Sequence, residues 1–197
     1  MDSPIHVRGL TEADIPEVTG FPPQEWNFDF LALLLQHLSK PYFLPLVGEA
    51  GREIVAVGHG ILNGGTGWLG NIIVPERHRQ RGYGAAITAN LVEALRGRGC
   101  RRLLLIATPM GEPVYARLGF RRSGSYRFFP AVQLEPAPID VNIRALGGED
   151  HKDVIALDRR ATAEERSELL APFLLDGYVY RPHGTGALRG YYLSLIH

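Results

Sequence analysis

Residues Arg79-Gln80-Arg81-Gly82-Tyr83-Gly84-Ala85 have the form R-x-x-G-x-G and stand directly before a helical pattern. The chemistry this arrangement offers is anion binding. The first backbone N–H groups of a helix have no partner within it, and the helix dipole places positive charge at the same end. Gly82 and Gly84 let a bulky phosphate approach the backbone. Arg77, Arg79 and Arg81 add positive charge around it.

Two familiar phosphate motifs fail here. A dinucleotide fingerprint needs a third glycine where Ile87 stands, and an acid at the end of the next strand. That strand, residues 102–107, reads Arg-Leu-Leu-Leu-Ile-Ala and has none. A Walker A loop needs G-K-[ST] before its helix, and no such tripeptide occurs.

The elements around the loop follow from periodicity. Residues 5–10 alternate apolar and polar side chains as a strand does, and Thr11 begins a helix with Glu12 and Asp14 in its first turn. Phe28, Leu31, Leu34, Leu35 and Leu38 fall at helical spacing and predict a second helix over 26–38. Residues 42–47 and 53–62 read as a hairpin around Glu49-Ala50-Gly51-Arg52, with a third strand over 67–74. Ile87, Leu91 and Leu95 mark an amphipathic helix over 84–98, closed by Gly99. The apolar run Leu103-Leu104-Leu105-Ile106 suits a strand covered on both faces. A short helix over 110–118 and a strand over 125–133 complete the order β-α-α-β-β-β-α-β-α-β. This predicts a mixed α/β (α+β) sheet with helices on its faces. Strands 67–74 and 102–107 must be parallel, joined by a right-handed crossover.

Two stretches together carry a resemblance. Trp68-Leu69-Gly70-Asn71-Ile72-Ile73-Val74 with its loop and helix resembles the central motif of the GNAT superfamily of N-acetyltransferases. Residues 107–120, ending in Tyr115-Ala116-Arg117-Leu118-Gly119-Phe120, resemble the following GNAT motif, Y-x-x-L-G-F. One helix and one strand separate them, as in that family. The resemblance implies the acyl-CoA N-acyltransferase fold and acetyl-CoA as co-substrate, with no metal. It implies that the backbone of Ile72, Ile73 and Val74 pairs with the pantetheine arm. This is possible because the two parallel strands splay apart in that fold. It implies that Arg79, Gln80, Arg81, Gly82, Tyr83, Gly84 and Ala85 cradle the pyrophosphate, and that Tyr115 stands near the leaving thiol as general acid. Thr108 stands where many members have Asn, Gln80 where Gly is common, and Tyr83 where a small aliphatic is common.

The implied reaction is direct attack of a primary amine of a small molecule or peptide on the thioester. An alkyl ammonium titrates near pH ~10, so it must first lose a proton. A backbone N–H of strand 67–74 is the natural donor to the developing oxyanion. The general base stays open. His59 on strand 53–62 is one candidate, and Glu76 and His78 lie beside the phosphates. Glu25 and Asp29 sit where acceptor-side helices lie in the family, and water can also carry the proton. The alternative is a non-catalytic acyl-CoA sensor or scaffold; the intact loop and Tyr115 favour the enzyme. The acceptor and the oligomeric state are not legible.

Residues 1–133 are expected to form the acetyltransferase domain, and 134–140 (Leu-Glu-Pro-Ala-Pro-Ile-Asp) a linker. Val7–Asp14 is then echoed by Ile143–Asp150, and Val57-Gly58-His59-Gly60 by Arg189-Gly190-Tyr191-Tyr192. The pattern over 141–192 is strand, helix, helix, strand, strand, a partial second GNAT-like domain without a counterpart of the 75–84 loop. The closing Leu193-Ser194-Leu195-Ile196-His197 resembles the translation of a transposon-end sequencing adaptor and is set outside the fold.

Composition sets the remaining bounds. The chain has 197 residues, 45% of them apolar, and 21 basic side chains balance 21 acidic ones. Net neutrality gives no global pull toward nucleic acid or anionic lipid. Cys100 alone excludes an internal disulfide framework and a zinc ribbon, and suits a buried small apolar residue. No apolar run approaches the ~18 residues that span a bilayer, and no signal peptide opens the chain, so a cytoplasmic location is expected.

Overall fold

The structure, a computed structural model, describes residues 4–26, 28–126, 138, 140–184 and 186–193. It divides into two compact units, 1–122 and 123–197. No helix among the described residues is long and apolar enough to cross a membrane.

The first unit carries one five-stranded sheet in the order β1-β2-β3-β4-β5. These are β1 His6–Gly9, β2 Phe43–Ala50, β3 Glu53–Asn63, β4 Thr66–Ile73 and β5 Arg102–Leu105. The first four pair antiparallel; β4 and β5 pair parallel. Between β4 and β5 runs α3, Tyr83–Gly97, the crossover that the parallel pair requires. Its stripe Ile87, Leu91 and Leu95 is fully buried, in one core with Ala56, Leu69 and Cys100. Gly58 lets the helix lie close: a Cβ there would sit 2.7 Å from Ile87 Cγ2. The opposite face meets α2, Phe30–His37, whose His37 ring lies 5.8 Å from that of Phe43, and α1, Ile15–Val18, lies against β3. α4, Glu112–Arg117, follows β5.

Two expectations change. The second helix begins at Phe30, not residue 26, because the Asp29 carboxylate accepts the Ala32 N–H at 2.8 Å and caps it there. Its buried stripe is Phe30, Leu34 and His37, while Leu31 and Leu35 are exposed. β5 is not covered on both faces among the described residues: Leu103, Leu104 and Leu105 are half-buried and Ile106 is 53% exposed. The strand expected over 125–133 has no regular structure at 125–126, and 127–133 lie outside the described residues. So do 134–137 and 139 of the expected linker.

In the second unit β6 Ile143–Ala145, β7 Gly177–Tyr180 and β8 Gly190–Leu193 form an antiparallel sheet in that order. α5, His151–Thr162, and α6, Ser167–Leu170, stand between β6 and β7. The sequence echo is a structural one. The Arg8 guanidinium clasps Asp14 at 2.7 and 2.8 Å, and that of Arg144 clasps Asp150 at 2.6 and 2.8 Å. In each copy the same carboxylate accepts the backbone N–H three residues earlier, from Thr11 and from Gly147. These clasps hold both aspartates well below the usual carboxylate range, chiefly through the arginine hydrogen bond.

The strand register corrects the second echo. Arg8 pairs with Val47 and Val47 with Val57; Arg144 pairs with Val179 and Val179 with Tyr191. Val57 therefore corresponds to Tyr191 rather than Arg189. The shift is two residues, so the alternation of faces is kept and the sequence pattern alone does not betray it.

Candidate functional site

Backbone geometry makes the site. β4 and β5 pair from Thr66–Arg102 to Leu69–Leu105, and the pairing ends there while β4 runs on to Ile73. Beyond Leu69, β4 has no β5 partner, so among the described residues its backbone is open to another extended chain. On its other side β4 carries a bulge. His59 pairs with Gly70, but Val57 pairs with Ile73, so the intervening β3 residue faces two on β4. The bulge falls at Asn71, whose φ is +46°.

The start of α3 faces the same opening. Ala86 N–H bonds the Gly82 carbonyl at 3.0 Å, the first bond of the helix ladder, and Gly82 offers no side-chain cap. The N–H groups of Tyr83, Gly84 and Ala85 precede that ladder. Gln80 and Gly82 both have left-handed backbones, φ +65° and +81°, which turn the loop tightly into the helix. Glycine needs no strain to do this and Gln80 does, which is the physical reason glycine suits position 80.

Together these elements line one cleft of about 900 Å³. Ile72, Ile73 and Val74 supply the strand side. Arg79, Gln80, Gly82, Tyr83, Gly84 and Ala85 supply the loop and helix start. Thr108 and Tyr115 supply the far wall. Thus all the residues expected at the site border the cleft except one. Arg81 is exposed and does not border it. The loop cations are also less free than their number suggested. Arg77 bonds Glu53 at 3.0 Å, and Arg79 Nε donates to the Val74 carbonyl at 3.2 Å. Sequence reasoning missed Met110, Gly111, Val114 and Arg117, which border the cleft from the segment that carries Tyr115. Helical spacing around Tyr115 was the available signal.

Tyr115 is half-buried and packs edge-on against Phe120 at 6.2 Å. It therefore combines a core contact with a place on the cleft wall. Burial pushes its hydroxyl above the ordinary tyrosine value, so it stays protonated and able to donate at neutral pH.

The candidate bases separate. His59 is buried, does not border the cleft, and is pushed down to about 3 by burial and then by His37. It is too weak a base for an alkyl ammonium. His78 and Glu76 border the cleft beside the 79–85 loop, and His78 Nε2 lies 3.0 Å from Glu53. Asp29 is engaged as the α2 cap, and the side chain of Glu25 lies outside the described residues.

The geometry fits an acyl-CoA: an uncapped helix start for the pyrophosphate, an open strand edge for the amide-bearing arm, and a protonated phenol beside them. Comparisons with known proteins agree. Residues 11–120 match the family model described as Acetyltransferase (GNAT) family. Over 57 residues the chain is 37% identical to glucosamine 6-phosphate N-acetyltransferase 1 of Oryza sativa subsp. japonica. That match spans 29% of this chain and 34% of the rice protein, so the chain matches only about a third of the relative's length. Among solved structures, a Pyrococcus horikoshii protein described as an acetyltransferase matches 90% of this chain and 68% of its own, with TM-score 0.65 and 18% identity. The aminoglycoside N-acetyltransferase AAC(6')-Iy, solved with CoA, matches 66% of this chain and 97% of its own, with TM-score 0.57 and 18% identity. These two likenesses carry the fold, and the family model covers more than half the chain: the chain belongs to the GNAT acetyltransferase family.

Proposed function

We propose that this protein is an acetyl-CoA-dependent N-acetyltransferase that acts on a primary amine of a small molecule or peptide by direct attack. The observation that carries the reading is the meeting, in one cleft, of the uncapped α3 start, the unpaired edge of β4 and Tyr115. Acetyl-CoA supplies the activated acetyl group, and the chain's residues do the rest. The N–H groups at Tyr83, Gly84 and Ala85 hold the pyrophosphate. Backbone at Ile72 to Val74 aligns the pantetheine arm as an added strand. A backbone N–H at the β4 bulge steadies the charge that develops on the carbonyl oxygen. As the amine's C–N bond forms and the C–S bond breaks, Tyr115 gives its proton to the departing sulfur. The amine's own proton leaves through water, since no well-placed basic side chain among the described residues faces the cleft away from the phosphates.

The same reading takes 1–133 as the catalytic domain, 134–140 as a linker, and 141–192 as a partial second copy. The matched Arg8–Asp14 and Arg144–Asp150 clasps support the last point.

The test has two stages. Acetyl-CoA, ATP and NAD are titrated separately into the protein by calorimetry, with thermal melting alongside. Binding of acetyl-CoA alone is expected, and its absence refutes the cofactor assignment. Thiol release is then followed over a panel of primary amines, beginning with glucosamine 6-phosphate because the matched rice relative carries that name. Binding with no turnover across sugars, aminoglycosides, amino acids and peptides would favour a holding role over catalysis.

A further inference from the structure

His59 violates a rule of protein interiors. It is buried, and its Nδ1 has no hydrogen-bond partner among the described residues. A buried unpaired nitrogen is unfavourable, and an apolar residue would avoid it, so the imidazole calls for an explanation. It does not border the cleft, which removes it from direct proton transfer.

What the ring touches supplies the explanation. On one side lies Phe43, with ring centroids 4.9 Å apart. Phe43 is itself backed by His37 at 5.8 Å, and His37 Nδ1 is tied to the Tyr42 hydroxyl at 2.9 Å. On the other side lies Gly70. A Cβ there would fall 2.7 Å from His59 Nε2 and 3.1 Å from Cε1, so the imidazole edge occupies the place of the missing side chain. The ring cannot retreat and the strand cannot advance. His59 and Gly70 are also the last pair in register before the β4 bulge, and the backbone beyond the bulge borders the cleft.

We infer that His59 is a positioning residue: clamped between Phe43 and Gly70, its imidazole fixes the bulge at Asn71 and so the backbone that meets the thioester carbonyl. The inference rests on the acetyl-transfer reading. His59 acts through β4 and touches neither substrate.

The test reads the carbonyl itself and needs no acceptor. Acetyl-CoA labelled with carbon-13 at the carbonyl is bound to the protein and its resonance compared with that of the free compound. A hydrogen bond from the bulge displaces it downfield. His59→Ala and Gly70→Ala attack the contact from opposite sides, one by emptying the wedge and one by setting a methyl against it. Both are expected to lose most of the displacement while still binding acetyl-CoA. His59→Gln, whose amide reaches the Nε2 position, is expected to keep most of it. With the first amine the parent accepts, kcat should fall about a hundredfold in the two alanine variants, with KM for acetyl-CoA within about threefold of the parent. A full parental displacement in either alanine variant overturns the inference, and Gly70→Ala decides the matter if His59→Ala does not fold. A parent that does not bind acetyl-CoA refutes the functional reading instead.

Discussion

Glutamate at position 84 is expected to pull stability and binding in opposite directions. Gly84 is the second residue of α3, and a Cβ there would meet only Val74 Cγ2, at 3.6 Å, an ordinary contact. The fold therefore has room for a side chain. Replacing a helical glycine gains up to about 1 kcal/mol, and a carboxylate in the first turn gains about 0.3–1 kcal/mol more from the helix dipole. The ligand-free protein should melt at or above the parental temperature. Binding should move the other way, because the new carboxylate projects from a residue that borders the cleft, at the helix start where the proposed function seats the pyrophosphate. At a separation of about 5 Å and an effective dielectric near 20, one like-charge pair costs about 3 kcal/mol, a loss of about a hundredfold in affinity. The assay is calorimetric titration with acetyl-CoA beside thermal melting without it. Gly84→Ala, with the same room and no charge, controls for bulk. A Kd for Gly84→Glu within about threefold of the parent would mean that the pyrophosphate does not sit at this helix start.

Tyr115→Phe should lower kcat about a hundredfold with acetyl-CoA affinity intact. Because burial holds the Tyr115 hydroxyl above the usual value of about 10, the parent's rate should show no alkaline fall from this group below about pH 10. Gln80→Gly should relieve a left-handed strain of about 1 kcal/mol, read as a higher denaturant midpoint; a lower one would contradict the strain. Asp14 and Asp150 have lowered folded values, so their stabilisation is complete above the unfolded value of about 3.9 and drains away as pH falls below it toward the folded values. Asp14→Asn with Asp150→Asn should accordingly flatten the acid limb of a stability–pH curve at the expense of stability at neutral pH. Gly58→Ala sets a methyl 2.7 Å from Ile87 Cγ2 and 3.2 Å from Ile72 Cγ1 and Leu91 Cδ1. It should cost about 1–3 kcal/mol by overpacking, and equilibrium unfolding in urea measures it.

Much of the site was legible because its parts are local. A glycine pair before a periodic helix, and a Tyr followed at short range by Leu-Gly-Phe, are contiguous strings whose chemistry does not depend on distant partners. What sequence reading missed depends on partners. Arg79 and Arg81 look equivalent, but the left-handed turn at Gln80 separates them, leaving Arg79 on the cleft and Arg81 off it. Asp29 reads as an acceptor-side acid until the α2 backbone is placed, whereupon it is the cap. The wedge of His59 against Gly70 rests on strand register. That register runs unbroken from the turn between Asn63 and Thr66 and ends at the bulge, and nothing in either segment alone announces where it stops.

The two copies of the Arg–Asp clasp then explain why one glycine pair matters so much. With the clasps aligned, the register places Tyr180 where the first unit has Gly48, and Tyr192 where it has Gly58. In the first unit both glycines lie under α3: a Cβ at Gly48 would fall 3.3 Å from Ile87 Cδ1, and one at Gly58 2.7 Å from Ile87 Cγ2. The close seat of α3 brings its N-terminus level with the open edge of β4, and that coincidence makes the cleft. With tyrosines at both positions, a helix cannot approach the second sheet at the same distance. The two units thus share a clasp at the first strand, while two residues on the next strands decide whether a sheet can seat a helix as closely as α3 is seated.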